Sequence, residues 1–459
     1  MVSMMKKRWA VLGLLGAMMV TSAIITMSFF PKTRSKISHQ TQTNVQSTQA
    51  KPITELQTQK EEPAVKELYQ AYTPENIKAM WLSQFDLNGV YTDGGHQRAK
   101  QDYHVLIERI LDRVIETGIN TVIVQLRPNM DSIYPSNICP MSRYVVGEYG
   151  RDAAYDPFEI LLEEAHERGL SVHAWINPLR GMLTDEILQI SDKYPVKQLY
   201  QDPSSRNTVL VEQDCRWYLN PAYHEARELI VSGAREILTN YNVDGLHMDD
   251  YFYPSGCTDS FDEKAYSSYL KNAEKISRQE FRREQINTLV RELYAMVKDV
   301  NDSVLFGISP GGNMDTNYNR LGADVYTWCS EKGYIDYICP QVYWGMEHET
   351  YDFVSVCKTF DDMIRVDGIR LVIGMTLGKA VAKYDQYAGS GKWEWRDNSD
   401  VLYRCLQHTK TLQHCTGVSY FCYQYFYDPV SGVAVPKTKT ERSLFVPLLK
   451  EIRWNTTNG

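Results

Sequence analysis

The chain has no Cys-x-x-Cys pair, no His-Glu-x-x-His and no Gly-x-Gly-x-x-Gly after its first strand-like run. The first absence excludes zinc ribbons and thioredoxin-type redox sites. The second removes the usual signature of a zinc hydrolase, and the third that of a dinucleotide-binding fold. There is no basic surplus either. The formal charge is −8, against the positive excess that phosphate neutralisation demands, so nucleic acid is not a partner. Long apolar runs are scarce. Only one could cross a bilayer, which excludes a polytopic membrane protein. Phe is outnumbered, with 13 Phe against 31 Tyr and 9 Trp. Aromatic rings with a polar edge suit sugars, stacking on C–H groups while the edge hydrogen-bonds.

What is present divides the chain in three. Residues 9–30 carry no charge and reach about 33 Å as a helix, enough to span a membrane. Lys6, Lys7 and Arg8 precede this run and favour an inside N-terminus. Residues 1–30 read as an uncleaved signal anchor, or else as a cleaved signal peptide. Either way the rest is exported, tethered to the outside of the cytoplasmic membrane or secreted. Residues 31–71, rich in Gln, Thr, Ser and Lys, lack the apolar content to offset chain entropy and read as a disordered linker. Residues 72–459 are the folded part. A length of 459 would suggest three domains, but a single α/β barrel accommodates it. All nine cysteines lie in that part, leaving room for one or two disulfides but implying no disulfide framework.

From residue 79 onward, eight short β-forming runs recur: 79–85, 121–126, 171–176, 245–250, 305–310, 337–343, 371–376 and 417–422. Helical patterns lie between them, for example at 103–118, 157–169 and 224–241. Gly118, Gly169 and Gly333 each stand between a helical pattern and a strand, and Asp156-Pro157 has the form of an N-cap followed by a first-turn proline. This rhythm predicts a (β/α)₈ TIM barrel, with an open doubly wound sheet as the alternative.

In such a barrel, chemistry sits at the C-terminal ends of the strands. Those ends are polar and aromatic here. Run two offers Gln125 and Arg127, and run three Trp175, Asn177 and Arg180. Run four offers His247, Asp249, Asp250 and Tyr251, and run five Asn313 beyond Ser309-Pro310-Gly311-Gly312. Run six offers Gln341, Tyr343 and Trp344, with Glu347 after it. In run four, Leu246 and Met248 share one face while His247 and Asp249 share the other, so Asp249 should point into the barrel mouth. Two adjacent carboxylates at 249 and 250 would repel, splitting their pKa values as acid/base work requires. Glycoside hydrolysis usually needs a second carboxyl across the scissile bond. Glu347 is the first candidate and Glu394, between two Trp in 391–400, the second. Alternatively an N-acetyl group of the substrate attacks, with Asp249 and Asp250 dividing the roles of acid and polariser. His247, Asp249 and Asp250 could hold a cation, but their spacing matches no metal motif, and no cofactor is implied.

Five blocks now resemble the glycosyl-hydrolase-like 10 family of bacterial exported proteins: QLRPNMDSIYPS (125–136), AWINPLR (174–180), VDGLHMDDYFYP (243–254), GISPGGN (307–313) and YIDYICPQVYW (334–344). They stand in the family's order across residues 77–452. The resemblance implies a TIM barrel, export to the cell envelope and glycosidase activity, with peptide-free peptidoglycan strands as substrate. Gln125, Arg127, Asn177, Asp249, Asp250, Gln341 and Tyr343 occupy its motif positions. The fourth block is also similar to the chitinase-type DGxDxDxE, with His247 and Tyr251 in place of its first inner Asp and its Glu. The expectation is a glycosidase with catalytic Asp249, Asp250 and Glu347. The sugar-contacting set is Gln125, Arg127, Trp175, Asn177, Arg180, His247, Tyr251, Asn313, Gln341, Tyr343, Trp344 and Glu394. A non-catalytic glycan-binding barrel and a metal-dependent deacetylase are the competing readings.

Overall fold

Each of the eight apolar runs forms a parallel strand: β1 (Ile77–Leu82), β2 (Thr121–Arg127), β3 (Ser171–Ile176), β4 (Gly245–Asp249), β5 (Leu305–Ser309), β6 (Tyr337–Ile338), β7 (Arg370–Thr376) and β8 (Cys415–Phe421). They close into one barrel in sequence order, β8 pairing back onto β1 through Ile77–Gly417 and Met80–Tyr420. A helix follows each strand: α1 (Lys100–Glu116), α2 (Pro157–Glu167), α3 (His224–Asn240), α4 (Arg278–Val300), α5 (Val325–Ser330), α6 (Phe353–Met363), α7 (Val401–Thr409) and α8 (Lys439–Glu451). The doubly wound alternative is thereby set aside. This computed structural model describes residues 69–249, 252–273 and 275–454. The anchor, most of the linker, Asp250 and Tyr251 lie outside the described residues, among which no helix is long and apolar enough to cross a membrane.

The local signals act through ordinary capping physics. Asp156 accepts from the Phe158 and Glu159 amides at 2.9 and 3.1 Å, and Pro157 opens α2. Gly118 and Gly169 have φ of +88° and +71°, the left-handed geometry that closes a helix and turns the chain into a strand. Strand alternation then separates two apolar layers. Met80 and Leu82 of β1 and Leu246 and Met248 of β4 face the helices, while Ile77, Ala79, Trp81, Ile123, Trp175, Tyr337 and Val372 fill the barrel. Two glycines make that filling possible. A Cβ on Gly245 would lie 2.6 Å from the His173 ring, and one on Gly307 2.0 Å from the Tyr337 ring.

Three features differ from the sequence expectation. β6 is only two residues long, because Pro340 lacks an N–H and breaks the ladder; Gln341 rejoins it through two isolated bridges, one to Gly311 and one to Gly374. The insertion between β3 and α3 builds a small antiparallel sheet from Arg180–Leu183, Leu210–Gln213 and Arg216–Leu219. All nine cysteines are free thiols.

Candidate active site

The centre of the barrel mouth is Asp249, the last residue of β4. Its carboxylate is nearly buried, 6% exposed. One oxygen accepts from Gln341 Nε2 at 2.9 Å and the other from Asn177 Nδ2 at 3.3 Å. Asn177 is itself oriented, its Oδ1 accepting from Gln125 Nε2 at 2.7 Å and from the Arg180 guanidinium at 3.3 Å. Gln125 Oε1 accepts the Gln84 amide at 2.9 Å, and the Gln84 side chain accepts from Asn129 Nδ2 at 3.3 Å. The hydrogen-bonded chain therefore runs from the end of β1 to β4 around the rim, with the Gln125 and Asn177 carboxamides each donating on one side and accepting on the other. Such a chain fixes both the position and the rotation of the Asp249 carboxylate.

Behind this ring stands Asp86. It is the reciprocal partner in the capping box of the helix Gln84–Tyr91, whose N-cap is Ser83, accepting from the Ser83 amide at 2.7 Å and the Ser83 hydroxyl at 2.5 Å, while its other oxygen accepts the Gln424 amide at 2.7 Å. Burial raises its carboxyl above the usual range, against these hydrogen bonds. Asp86 thus ties the end of β8 to the end of β1 and braces the rim.

Beneath Asp249 the barrel interior is polar but sealed. Tyr337 Oη lies 2.6 Å from His247 Nδ1 and 2.8 Å from His173 Nδ1. One hydroxyl has one proton, so it donates to one ring and accepts from the other, and the two imidazoles are opposite tautomers. Burial depresses both, His173 to about 4 and His247 well below its ordinary value. His247 has no exposed surface and packs edge-on against Trp81 at 4.7 Å.

Several expected sugar contacts are therefore reassigned. His247 is an interior residue two positions below Asp249, because strand alternation carries it inward but a layer deeper than the mouth. Trp175 is also buried, its ring 4.7 Å from Trp81 in a T-shaped pair, and offers no free face. Arg127 points away from the mouth. The β2–β3 register shifts between Gln125 and Arg127, which breaks the alternation and turns the guanidinium outward against α3. A Cβ on Gly233 would lie 1.7 Å from its Nη1. Glu394 is 3% exposed and structural. It accepts the Met346 and Glu347 amides at 3.0 Å each and faces Arg404 at 3.4 Å; burial raises its carboxyl. Of the two Trp beside it, Trp395 is in the core and Trp393 is partly exposed.

The remaining predicted residues lie at strand ends. Gln341 touches Asp249 directly. Tyr343 is half-buried and stacked on Phe421 at 5.9 Å. Trp344 covers the Gly312 turn and stacks on Tyr351 at 5.0 Å. Asn313 caps the helix Met314–Asn319 and donates to Tyr351 Oη at 2.8 Å. Glu347 has an exposed side chain on the loop after β6. Gly307–Gly311 also spells Gly-x-Ser-x-Gly, the pattern of a serine-hydrolase nucleophile turn, but Ser309 is fully buried at the end of β5. Sequence reading missed Arg216, which comes from the unforeseen hairpin and donates to Asn129 Oδ1 at 2.9 Å. No strand-end rule points to a residue on an insertion.

A closed parallel barrel with a carboxylate oriented by amides at the C-terminal strand ends defines the class: a TIM-barrel protein with a glycosidase-like mouth. Within that class the chain belongs to the glycosyl hydrolase-like 10 family, whose profile matches residues 76–388. It is 31% identical over 335 residues to glycosyl hydrolase YngK of Bacillus subtilis (strain 168), covering 69% of this chain. That match spans 63% of the relative's own length. It is 30% identical over 329 residues to glycosyl hydrolase DigH of Escherichia coli (strain K12), covering 66% of this chain and 73% of that one. Two solved structures share the fold. The catalytic domain of the β-amylase of Paenibacillus polymyxa superposes with TM-score 0.50 at 10% identity, covering 83% of this chain and 100% of that chain. The β-galactosidase of Rahnella sp. R3 superposes with TM-score 0.53 at 13% identity, covering 83% of this chain and 57% of that chain.

Proposed function

We propose that the chain hydrolyses glycosidic bonds in cell-wall glycan, with peptide-free peptidoglycan strands as substrate. It would act outside the cytoplasmic membrane, to which residues 9–30 tether it. The observation that carries the reading is the Asp249 carboxylate, held at the end of β4 by Gln341 and Asn177. Family membership and the glycosyl-hydrolase names of the relatives support the reaction class; the resemblance of the five sequence blocks supports the glycan and the export. Asp249 serves as nucleophile, or as the carboxylate that polarises a substrate N-acetyl group. Asp250 or Glu347 supplies the acid. Gln125, Asn177 and Arg180 hold the ring around Asp249, while Gln341, Tyr343 and Trp344 face the sugar from beyond β6.

The test is incubation of wild type and Asp249→Asn with defined peptide-free glycan strands, followed by reducing-end assay and mass spectrometry of products. The variant should retain its fold and lose at least about a hundredfold in rate. Undiminished release by the variant would sink the proposal. A second reading, glycan binding without hydrolysis, draws on the engagement of Glu394 with the 346–347 backbone, which removes one candidate for the opposing carboxyl. It predicts retention of glycan with no new reducing ends.

A further inference from the structure

On the outer ring of helices, a group of metal-ligating side chains stands apart from the mouth. His104 and Glu108 lie four residues apart in α1, so they share one face of the helix a turn apart. Glu164 meets them from α2. One donor atom from each of the three residues lies within 4.8 Å of the other two. His104 Nε2 is 2.5 Å from Glu164 Oε1. The two helices are held together independently of this group. Tyr103 Oη donates to the Pro157 carbonyl at 2.7 Å, and Arg168 Nε donates to Asp112 Oδ1 at 2.8 Å. The second oxygen of Glu164 accepts from Arg168 Nη1. That bond leaves Oε1 turned toward His104, and it orients the carboxylate as a supporting partner orients a metal ligand. Glu108 is the member that helix packing does not explain. It is partly buried, and among the described residues it has no hydrogen-bond or ion-pair partner. Two neighbouring carboxylates repel, and a cation between them removes the repulsion.

We propose that His104, Glu108 and Glu164 form a site for a divalent transition-metal ion, with Zn²⁺ the preferred occupant, which staples α1 to α2. One imidazole nitrogen and two carboxylate oxygens are a donor set that Zn²⁺ accepts, whereas Mg²⁺ and Ca²⁺ take oxygen alone. In a tetrahedral shell, ligands about 2.0–2.2 Å from the ion stand about 3.4 Å from one another. The ion therefore enters by parting His104 from Glu164 by about 1 Å and drawing in Glu108, through glutamate torsions that are broad and soft. Coordination through Nε2 puts the ring hydrogen on Nδ1, the other neutral tautomer. The two carboxylates balance the charge of the ion, and the fourth position falls to water. The site involves neither Asp249 nor its neighbours and stands independently of the glycan reading.

The test uses the full chain, stripped with a chelator and then dialysed against micromolar ZnCl₂ with and without excess MgCl₂. Elemental mass spectrometry should find one zinc ion per chain, retained in the presence of Mg²⁺. X-ray absorption at the zinc edge should show nitrogen and oxygen neighbours and no sulfur, which separates this site from the free thiols. Glu108→Gln and His104→Gln should each weaken binding at least about tenfold, with circular dichroism unchanged. Glu108 is the cleaner probe, because it has no partner whose loss would disturb the helices. Asp249→Asn should bind zinc as wild type does. Absence of zinc uptake, a sulfur shell, displacement by Mg²⁺, undiminished affinity in Glu108→Gln, or loss of the ion in Asp249→Asn would overturn the proposal.

Discussion

Asn177 and Gln341 reach Asp249 from β3 and from beyond β6, and each has a carboxamide rather than a charge. Neutral donors orient a carboxylate without themselves bringing a countercharge to it. Gln341→Ala should lower kcat about tenfold to a hundredfold with a small change in KM, because the carboxylate loses its fixed direction and not its place. Steady-state kinetics on a defined glycan check this. Arg127 makes the opposite prediction. It is packed against α3 at Gly233, so Arg127→Met should leave KM unchanged and lower the melting temperature, and Gly233→Ala should destabilise through the same contact. Had Arg127 been a sugar ligand, KM would rise instead. The sequence pattern could not separate these cases, because the register shift that reverses Arg127 leaves no mark in residue spacing.

At the scale of elements, the loop after β6 is held by a residue from the far side of the next strand. Glu394 receives two loop amides, and Gly345 has no Cβ because the Glu394 carboxylate occupies that space. Glu394→Ala leaves those amides without an acceptor and should make the 345–347 segment the first site of limited proteolysis, with activity lost in proportion. From its position between two Trp, Glu394 is expected to face the sugar; burial of Trp395 and Glu394 makes that segment a brace. The helix starts were easier to read. Asp156 caps α2 as its position before Pro157 implies, and Asp156→Ala should cost about 1 kcal/mol in chemical denaturation. Capping is local, so spacing alone reveals it. The bracing of one loop by another requires the barrel to have closed.

The whole molecule carries buried groups of two kinds, histidine and carboxyl, whose protonation acts on stability in opposite directions. His173 has its folded pKa depressed to about 4 by burial, below the ordinary value near 6.5. The unfolded chain then binds this proton more readily, so the contribution to stability is present above about 6.5 and is lost as pH falls toward 4. His247 acts in the same direction. Glu441, which accepts the Val401 and Leu402 amides at the start of α7, is raised by burial to about 7. Its contribution is present below the ordinary carboxyl value near 4.5 and is lost as pH rises through 7. Thermal melts across pH 4 to 7 should therefore show His173→Asn losing less stability on acidification than wild type, and Glu441→Gln losing more. Parallel slopes in all three proteins would contradict both assignments.

The sequence alone determined the barrel, because eight β-forming runs, glycine-closed helices and capping residues are local and repeat along the chain. It also singled out Asp249, since alternation within one strand needs no partner to read. Only the tertiary structure decided what stands around that carboxylate. Gln341 and Asn177 meet it across strands distant in sequence. A register shift removes Arg127, depth within the barrel removes His247 and Trp175, and a loop contact removes Glu394. An insertion hairpin brings in Arg216. These depend on pairing between strands, on contacts between loops and on side-chain depth along the barrel axis, none of which exists before the chain is folded.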